Sequence, residues 1–130
     1  LGPVGCQFRY VARRAHKLAR SIFHLMLIHQ LGLERRQMVL ARVVEIGTEL
    51  FAITATASYA HKKWKANPSD KAPLLLSEHF FKGAQRRVDQ YFSQLFSNED
   101  TLSRKVANSI LDDKMLWLED GIVKDGESRF

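Results

Sequence analysis

The stretch Gln7–Gly32, QFRYVARRAHKLARSIFHLMLIHQLG, decides the fold. Its apolar residues Phe8, Val11, Ala15, Leu18, Ile22 and Leu25 recur at alternating spacings of three and four. That is the period of a helix packed along one face, since a half-buried strand alternates every second residue. Ala12, Ala19 and Met26 widen the stripe, and Arg9, Arg13, Arg14, Lys17 and Arg20 fall largely off it. Gly32 closes the element, because glycine takes the left-handed conformation that ends helices. The spacing predicts a first helix over about 7–31.

A second helix follows over about 33–64, with a seam at Leu40, Val44, Gly47, Phe51, Thr54 and Ser58. Val43, Leu50, Ala55 and Ala57 enlarge its apolar surface. Small and β-branched residues crowd Gly47–Ala60, which predicts a helix closely approached on more than one side. The tight Gly32 connection makes the first two helices antiparallel neighbours. Asn67-Pro68-Ser69-Asp70 is a turn in which either Ser69 or Asp70 caps the next helix. The third helix, about 72–96, carries Leu76, Phe80, Ala84, Val88, Tyr91 and Leu95. The fourth, about 101–119, carries Leu102, Val106, Ile110, Leu111, Met115 and Leu118, with Gly121 as its stop and 124–130 as a tail. Together these predict an all-α fold, an antiparallel up-down four-helix bundle with long helices, in a single domain over 1–130.

The chain's 130 residues, 45% hydrophobic and 26% charged, can bury one core without staples. Cys6 is the sole cysteine, so no internal disulfide forms and a reducing compartment fits. Ile22–Leu33, the most apolar run, is broken by His24, His29, Gln30 and Gly32 and is too short to span a bilayer. No signal peptide pattern is visible. The opening Leu1-Gly2-Pro3-Val4-Gly5 resembles a linker, so a fragment of a longer protein is expected.

Motifs for catalysis are sparse. Glu45 and Glu49 present two carboxylates one turn apart, but such pairs ordinarily line exposed faces. A di-iron bundle needs Glu-x-x-His pairs on separate helices, and none occurs. His16, His24, His29, His61 and His79 lack the thiol company of a zinc site. Gly-rich phosphate loops and nucleophile elbows are absent. The expectation is no catalytic, cofactor-binding or metal residue in this chain.

The net charge of +6 is concentrated toward the N-terminus, where Leu1–Gln30 holds bases and no acid. Arg9, Arg13, Arg14, Lys17 and Arg20 are the candidate contact to an anionic surface or membrane, against the plainer reading of a solvated helix face. The helices are too long for a helix-turn-helix, so no nucleic acid partner is expected.

Gly32-Leu33, the polar run Glu34-Arg35-Arg36-Gln37, and Glu45-Ile46-Gly47-Thr48-Glu49-Leu50-Phe51-Ala52 resemble the C-terminal helical extension of very-long-chain and related large bacterial acyl-CoA dehydrogenases. Leu116-Trp117-Leu118-Glu119-Asp120-Gly121-Ile122-Val123 is similar to that family's last helix and Gly-Val ending. The likeness covers about 8–123. It implies a parent enzyme that uses FAD to take hydrogens from the α and β carbons of an acyl-CoA in fatty-acid β-oxidation. In that family the flavin, the acyl-CoA pocket and the glutamate base lie mainly in preceding domains, so no catalytic or FAD residue carries over. The resemblance also implies docking onto those domains, a homodimer and membrane association. An intracellular location follows, cytoplasmic or peripheral to a membrane, on the matrix side if eukaryotic. The alternative is a free-standing helical adaptor that binds an acidic protein or other anionic partner through its basic first helix.

Overall fold

The computed structural model of the chain describes residues 2–28, 37–96 and 100–120. Those residues form helices and no strand: α1 (Gly5–Ile28), α2 (Gln37–Ala66), α3 (Ala72–Phe96) and α4 (Asp100–Leu111), with 3-10 turns at Gly2–Val4 and Leu116–Glu119. The all-α class read from the sequence is therefore what the described residues show. The expected end of the first helix, its Gly32 stop and the start of the second lie outside the described residues, as do Gly121 and the 124–130 tail.

The chain divides into two compact units, Leu1–Asn98 and Glu99–Phe130. The predicted single domain spans both, and each unit is described by itself.

In the first unit α2 is the central element and packs on α1 and α3. Its direction is opposite to both. A Cβ at Gly2 would meet the Trp64 indole at 3.8 Å, so the start of the chain lies by the end of α2. Contacts between α1 and α3 instead rise together. Gln7 pairs with Ser77, the Tyr10 ring meets Phe81 edge-on at 5.2 Å, and Arg14 pairs with Asp89. The core is Tyr10 and Leu25 from α1, Ile46, Leu50 and Ile53 from α2, and Phe81, Ala84, Val88, Phe92 and Leu95 from α3. Ala57, Ala60 and Ala84 are buried where small side chains let helices approach.

The seams are not those that apolar spacing alone selects. On α2 the buried line is Ile46, Leu50, Ile53, Ala57 and Ala60, one position before the expected Leu40, Val44, Gly47, Phe51, Thr54 and Ser58. The two lines are adjacent, and both are apolar, so helical period cannot choose between them. From the opening 3-10 turn into α1 the inward side repeats as Val4 (buried), Val11 and Leu18 (half-buried) and Leu25 (buried), with Gln7 and Ser21 (buried) and Arg14 (half-buried) beside them. The second set is polar at every seventh position, which conceals it from a hydrophobic reading. Gln7 belongs there because Ser77 Oγ donates to its Oε1 at 3.0 Å, a buried pair with both groups satisfied.

The connection to α3 matches its sequence signature. Asp70 Oδ1 accepts the Ala72 N–H at 2.9 Å, Asp70 N–H bonds Asn67 O at 3.1 Å, and Pro73 occupies the first turn. Of the two candidate caps, Asp70 is the one that binds the helix start, while Ser69 Oγ donates to Asn67 Oδ1 at 2.6 Å.

In the second unit α4 stops at Leu111, short of the expected 119. Asp113 takes φ +56, its N–H bonds Ile110 O at 3.1 Å, and the Lys114 N–H reaches back to Ser109 O at 3.0 Å. That pair of bonds is a Schellman closure, built on a left-handed aspartate instead of the usual glycine. Ile110, Leu111, Met115 and Leu118 keep the helical period across the break, which is why spacing runs through it. Asp113→Gly is expected to stabilise α4 by about 0.5–1 kcal/mol, since glycine takes this φ without steric cost. Slower amide exchange at Lys114 would record it; unchanged or faster exchange would contradict the strain assigned to Asp113.

Candidate functional site

The basic face of α1 is the site that the sequence singles out, and the structure divides it in two. Arg14 turns inward. Its Nη2 lies 2.8 Å from Asp89 Oδ1, and its guanidinium stands 5.2 Å from the Tyr10 ring centre and 5.9 Å from that of Phe92. Lys17 places its ammonium 4.6 Å from the Phe92 ring centre. Both cations are thus engaged with α3, one by an ion pair over aromatic faces and one by a cation–π contact.

Arg9, Arg13 and Arg20 are exposed and make no ion pair among the described residues. Their positions, with His16 between, follow helical spacings of four, three and four, so they form one line along α1. Phe23 stands 65% exposed one turn beyond Arg20. No acid occurs anywhere in Gly5–Ile28. Cations beside exposed apolar groups on one helix face are what an anionic surface with an apolar boundary attracts.

Beneath this face Tyr10 is buried, with its hydroxyl beside Arg14 and Asp89. Burial raises its pKa above the ordinary tyrosine value; the negative charge of Asp89 adds to this and Arg14 opposes it. The raised folded-state value means that the tyrosine favours folding fully below pH about 10, and that this support is lost as pH rises through the folded pKa. Tyr10→Phe is therefore expected to remove one component of alkaline unfolding and to leave stability at pH 7 within about 1 kcal/mol of the parent. Urea titrations at neutral and high pH check both parts, and a clear loss of stability at pH 7 would contradict the assignment.

Two further features lie between α2 and α3. Arg87 Nε and Nη2 donate to Glu49 Oε1 and Oε2 at 2.6 and 3.0 Å, and these bonds raise the Arg87 pKa. The pair is open to water and contributes less than about 1 kcal/mol. Glu49 is accordingly an ion-pair partner, and Glu45 beside it is exposed. Further along, Tyr59, Lys63, Pro73, Leu76 and Ser77 line an open apolar cavity of about 290 Å³ with Asp70 at its edge. Among the described residues no group of three or more His, Cys, Asp or Glu could hold a metal ion, and no helix is long and apolar enough to cross a membrane.

The match that decides the family covers residues 7–116, by a model described as ACAD9/ACADV, C-terminal domain. The chain belongs to this family. As an ACAD9/ACADV C-terminal domain it is 38% identical over 127 residues to the "Probable acyl-CoA dehydrogenase FadE10" of Mycobacterium bovis, and equally to those of two strains of Mycobacterium tuberculosis. Each match takes in 97% of this chain and 20% of the relative, so the chain spans about a fifth of the length of the curated relatives it matches. No solved structure matches it. The family is FAD-dependent, which raises the question of whether this domain holds flavin. The cavity between α2 and α3 is below the roughly 300–1,000 Å³ of ordinary ligand pockets, and its lining is apolar apart from a few groups. That cavity is too small for a dinucleotide.

Proposed function

We propose that the chain is the accessory C-terminal helical domain of an acyl-CoA dehydrogenase that takes hydrogens from the α and β carbons of an acyl-CoA, with FAD held by other domains. The observation that carries this reading is the family match across residues 7–116 together with relatives five times its length. The domain serves attachment. It docks onto the preceding domains, and the outward line of Arg9, Arg13 and Arg20 meets an anionic membrane surface, with Phe23 reaching the apolar boundary. Arg14 and Lys17 support that line from beneath by fixing α1 to α3. The protein works inside the cell, in the cytoplasm or at a membrane periphery, and on the matrix side if eukaryotic.

Flotation with vesicles of about one-third anionic lipid tests the attachment surface at low and moderate salt. Binding should fall at least tenfold on charge reversal of Arg9, Arg13 and Arg20, since each basic residue near such a surface contributes about 1 kcal/mol. Binding that ignores the reversal would contradict the assignment. The adaptor reading, a free-standing domain that binds a protein through the same face, draws on the same arginines and gains if an initiator Met directly precedes Leu1.

A further inference from the structure

The end of the first unit where α2 passes into α3 is cationic. Phe51–Ser77 holds Lys62, Lys63, Lys65 and Lys71 against a single acid, Asp70. The Asp70 carboxylate already accepts the Ala72 N–H at the start of α3, where the helix dipole also favours a negative charge. The four lysines are exposed and make no ion pair among the described residues. Lys63 and Lys71 instead lie against aromatic rings, 5.5 Å from the Tyr59 centre and 5.8 Å from that of Trp64. The open cavity of about 290 Å³ lies at this same end, with Lys63 in its wall. The small side chains of Ala60 and Ala72 leave the space, and Tyr59, Pro73 and Leu76 supply its apolar lining. Tyr59 and Leu76 are 62% and 69% exposed, so large apolar surface stays open beside a concave one.

Size, lining and charge together define the occupant. Inorganic phosphate gains nothing from apolar walls, and a dinucleotide is too large. A neutral apolar molecule fills the space but covers the Lys63 ammonium without pairing it, which costs free energy. A carboxylate on the same molecule removes that cost through a charge-assisted hydrogen bond. The rings of Tyr59 and Pro73 favour a flat apolar body over a branched one. We infer that this cavity binds a small amphiphilic anion, a compact ring-bearing body with one carboxylate, its ring against Tyr59 and Pro73 and its carboxylate on Lys63. The site is separate from the attachment face of α1, since none of Arg9, Arg13 and Arg20 lines the cavity. It also stands independently of the dehydrogenase reading.

Amide chemical-shift titration of the 130-residue chain with phenylpropionate reads the result. Saturable shifts should gather at Tyr59, Ala60, Lys63 and Leu76, with a Kd of about 1 mM, the range a ligand of this size reaches. Phenylpropanol, which lacks the charge, should bind at least about threefold more weakly, and phenylpropylammonium more weakly still. Lys63→Glu should weaken phenylpropionate at least about fivefold and leave phenylpropanol nearly unchanged, which separates the charge contact from apolar filling. Ala72→Trp, at an exposed position in the cavity wall, should abolish binding of all three probes by occupying the space. Circular dichroism confirms that both variants keep their helices. Absence of saturable shifts at about 10 mM phenylpropionate would overturn the inference. So would equal affinity for the three probes, or binding that withstands both replacements. The outcome is read without flavin, so loss of this site leaves the dehydrogenase reading standing, and loss of that reading leaves the site.

Discussion

Ile53→Ala is expected to lower the unfolding free energy of the Leu1–Asn98 unit by about 3–4 kcal/mol. Ile53 is 1% exposed and lies between the α1 and α3 residues of the core. The replacement removes three carbons from contact, each costing about 0.8 kcal/mol of transfer, and leaves a cavity that packed helices close only in part. Urea denaturation reads this directly. With a slope of about 1–3 kcal/mol per molar, the midpoint should fall by at least about 1 M at unchanged slope. Phe51→Ala, on the exposed line of α2 next to that seam, is the control, since its 75% exposed ring gives the folded monomer little to lose. Equal losses at the two positions would mean that the seam of α2 is wrongly placed. A loss at Phe51 alone would restore the seam that apolar spacing first suggests.

Val88→Asp carries the second large effect. Val88 is fully buried on α3 beside Ala84 and Phe92, in a layer built of apolar side chains. A carboxylate placed there has no partner, and an unpaired buried charge costs more than about 3 kcal/mol. The chain should lose its cooperative thermal transition at pH 7. The sign of the pH dependence follows from desolvation, which raises the folded-state pKa of the introduced acid. Stability is then highest below the ordinary aspartate value of about 4 and is lost as pH rises through the folded value. Val88→Asn isolates the charge, being about as large but unable to ionise, and its loss should not change across that range. Full stability of Val88→Asp at pH 7 would show that position 88 reaches water.

The sequence made helices legible because period is a local property. The 72–96 element and its Asn67–Asp70 turn were legible, with the cap open between Ser69 and Asp70, since Asx and Ser side chains, a proline and an apolar stripe all point the same way. Which face of a helix is buried depends on what the neighbours offer. On α1, Gln7 and Arg14 enter the packed side because Ser77 and Asp89, some seventy residues later in the chain, supply partners for them. Hydrophobic patterning has no means of registering that. On α2, two adjacent apolar lines compete, and the choice falls to residues that fit Phe81, Ala84 and Val88. The break after Leu111 was hidden for a different reason: aspartate takes the left-handed conformation far less often than glycine, so Asp113 carries little warning of a helix end.

The candidate site was legible in its composition and not in its division. Nothing in the order Arg9, Arg13, Arg14, Lys17, Arg20 separates the cations that stabilise the fold from those that face outward. The helix axis supplies that separation once α3 has been placed against α1. Phe92 and Asp89 take Arg14 and Lys17, and the three remaining arginines fall on one line.

We propose that this chain is the helical extension of a flavoenzyme whose chemistry lies elsewhere in the polypeptide. The most direct test is the visible absorption spectrum of the protein expressed from the whole reading frame that encodes this chain, before and after anaerobic addition of a long-chain acyl-CoA. The account predicts bound flavin whose bands bleach on addition of the acyl-CoA, and no flavin on the 130-residue chain purified alone. Flavin bound to the 130-residue chain, or a whole-frame protein without flavin, would contradict it.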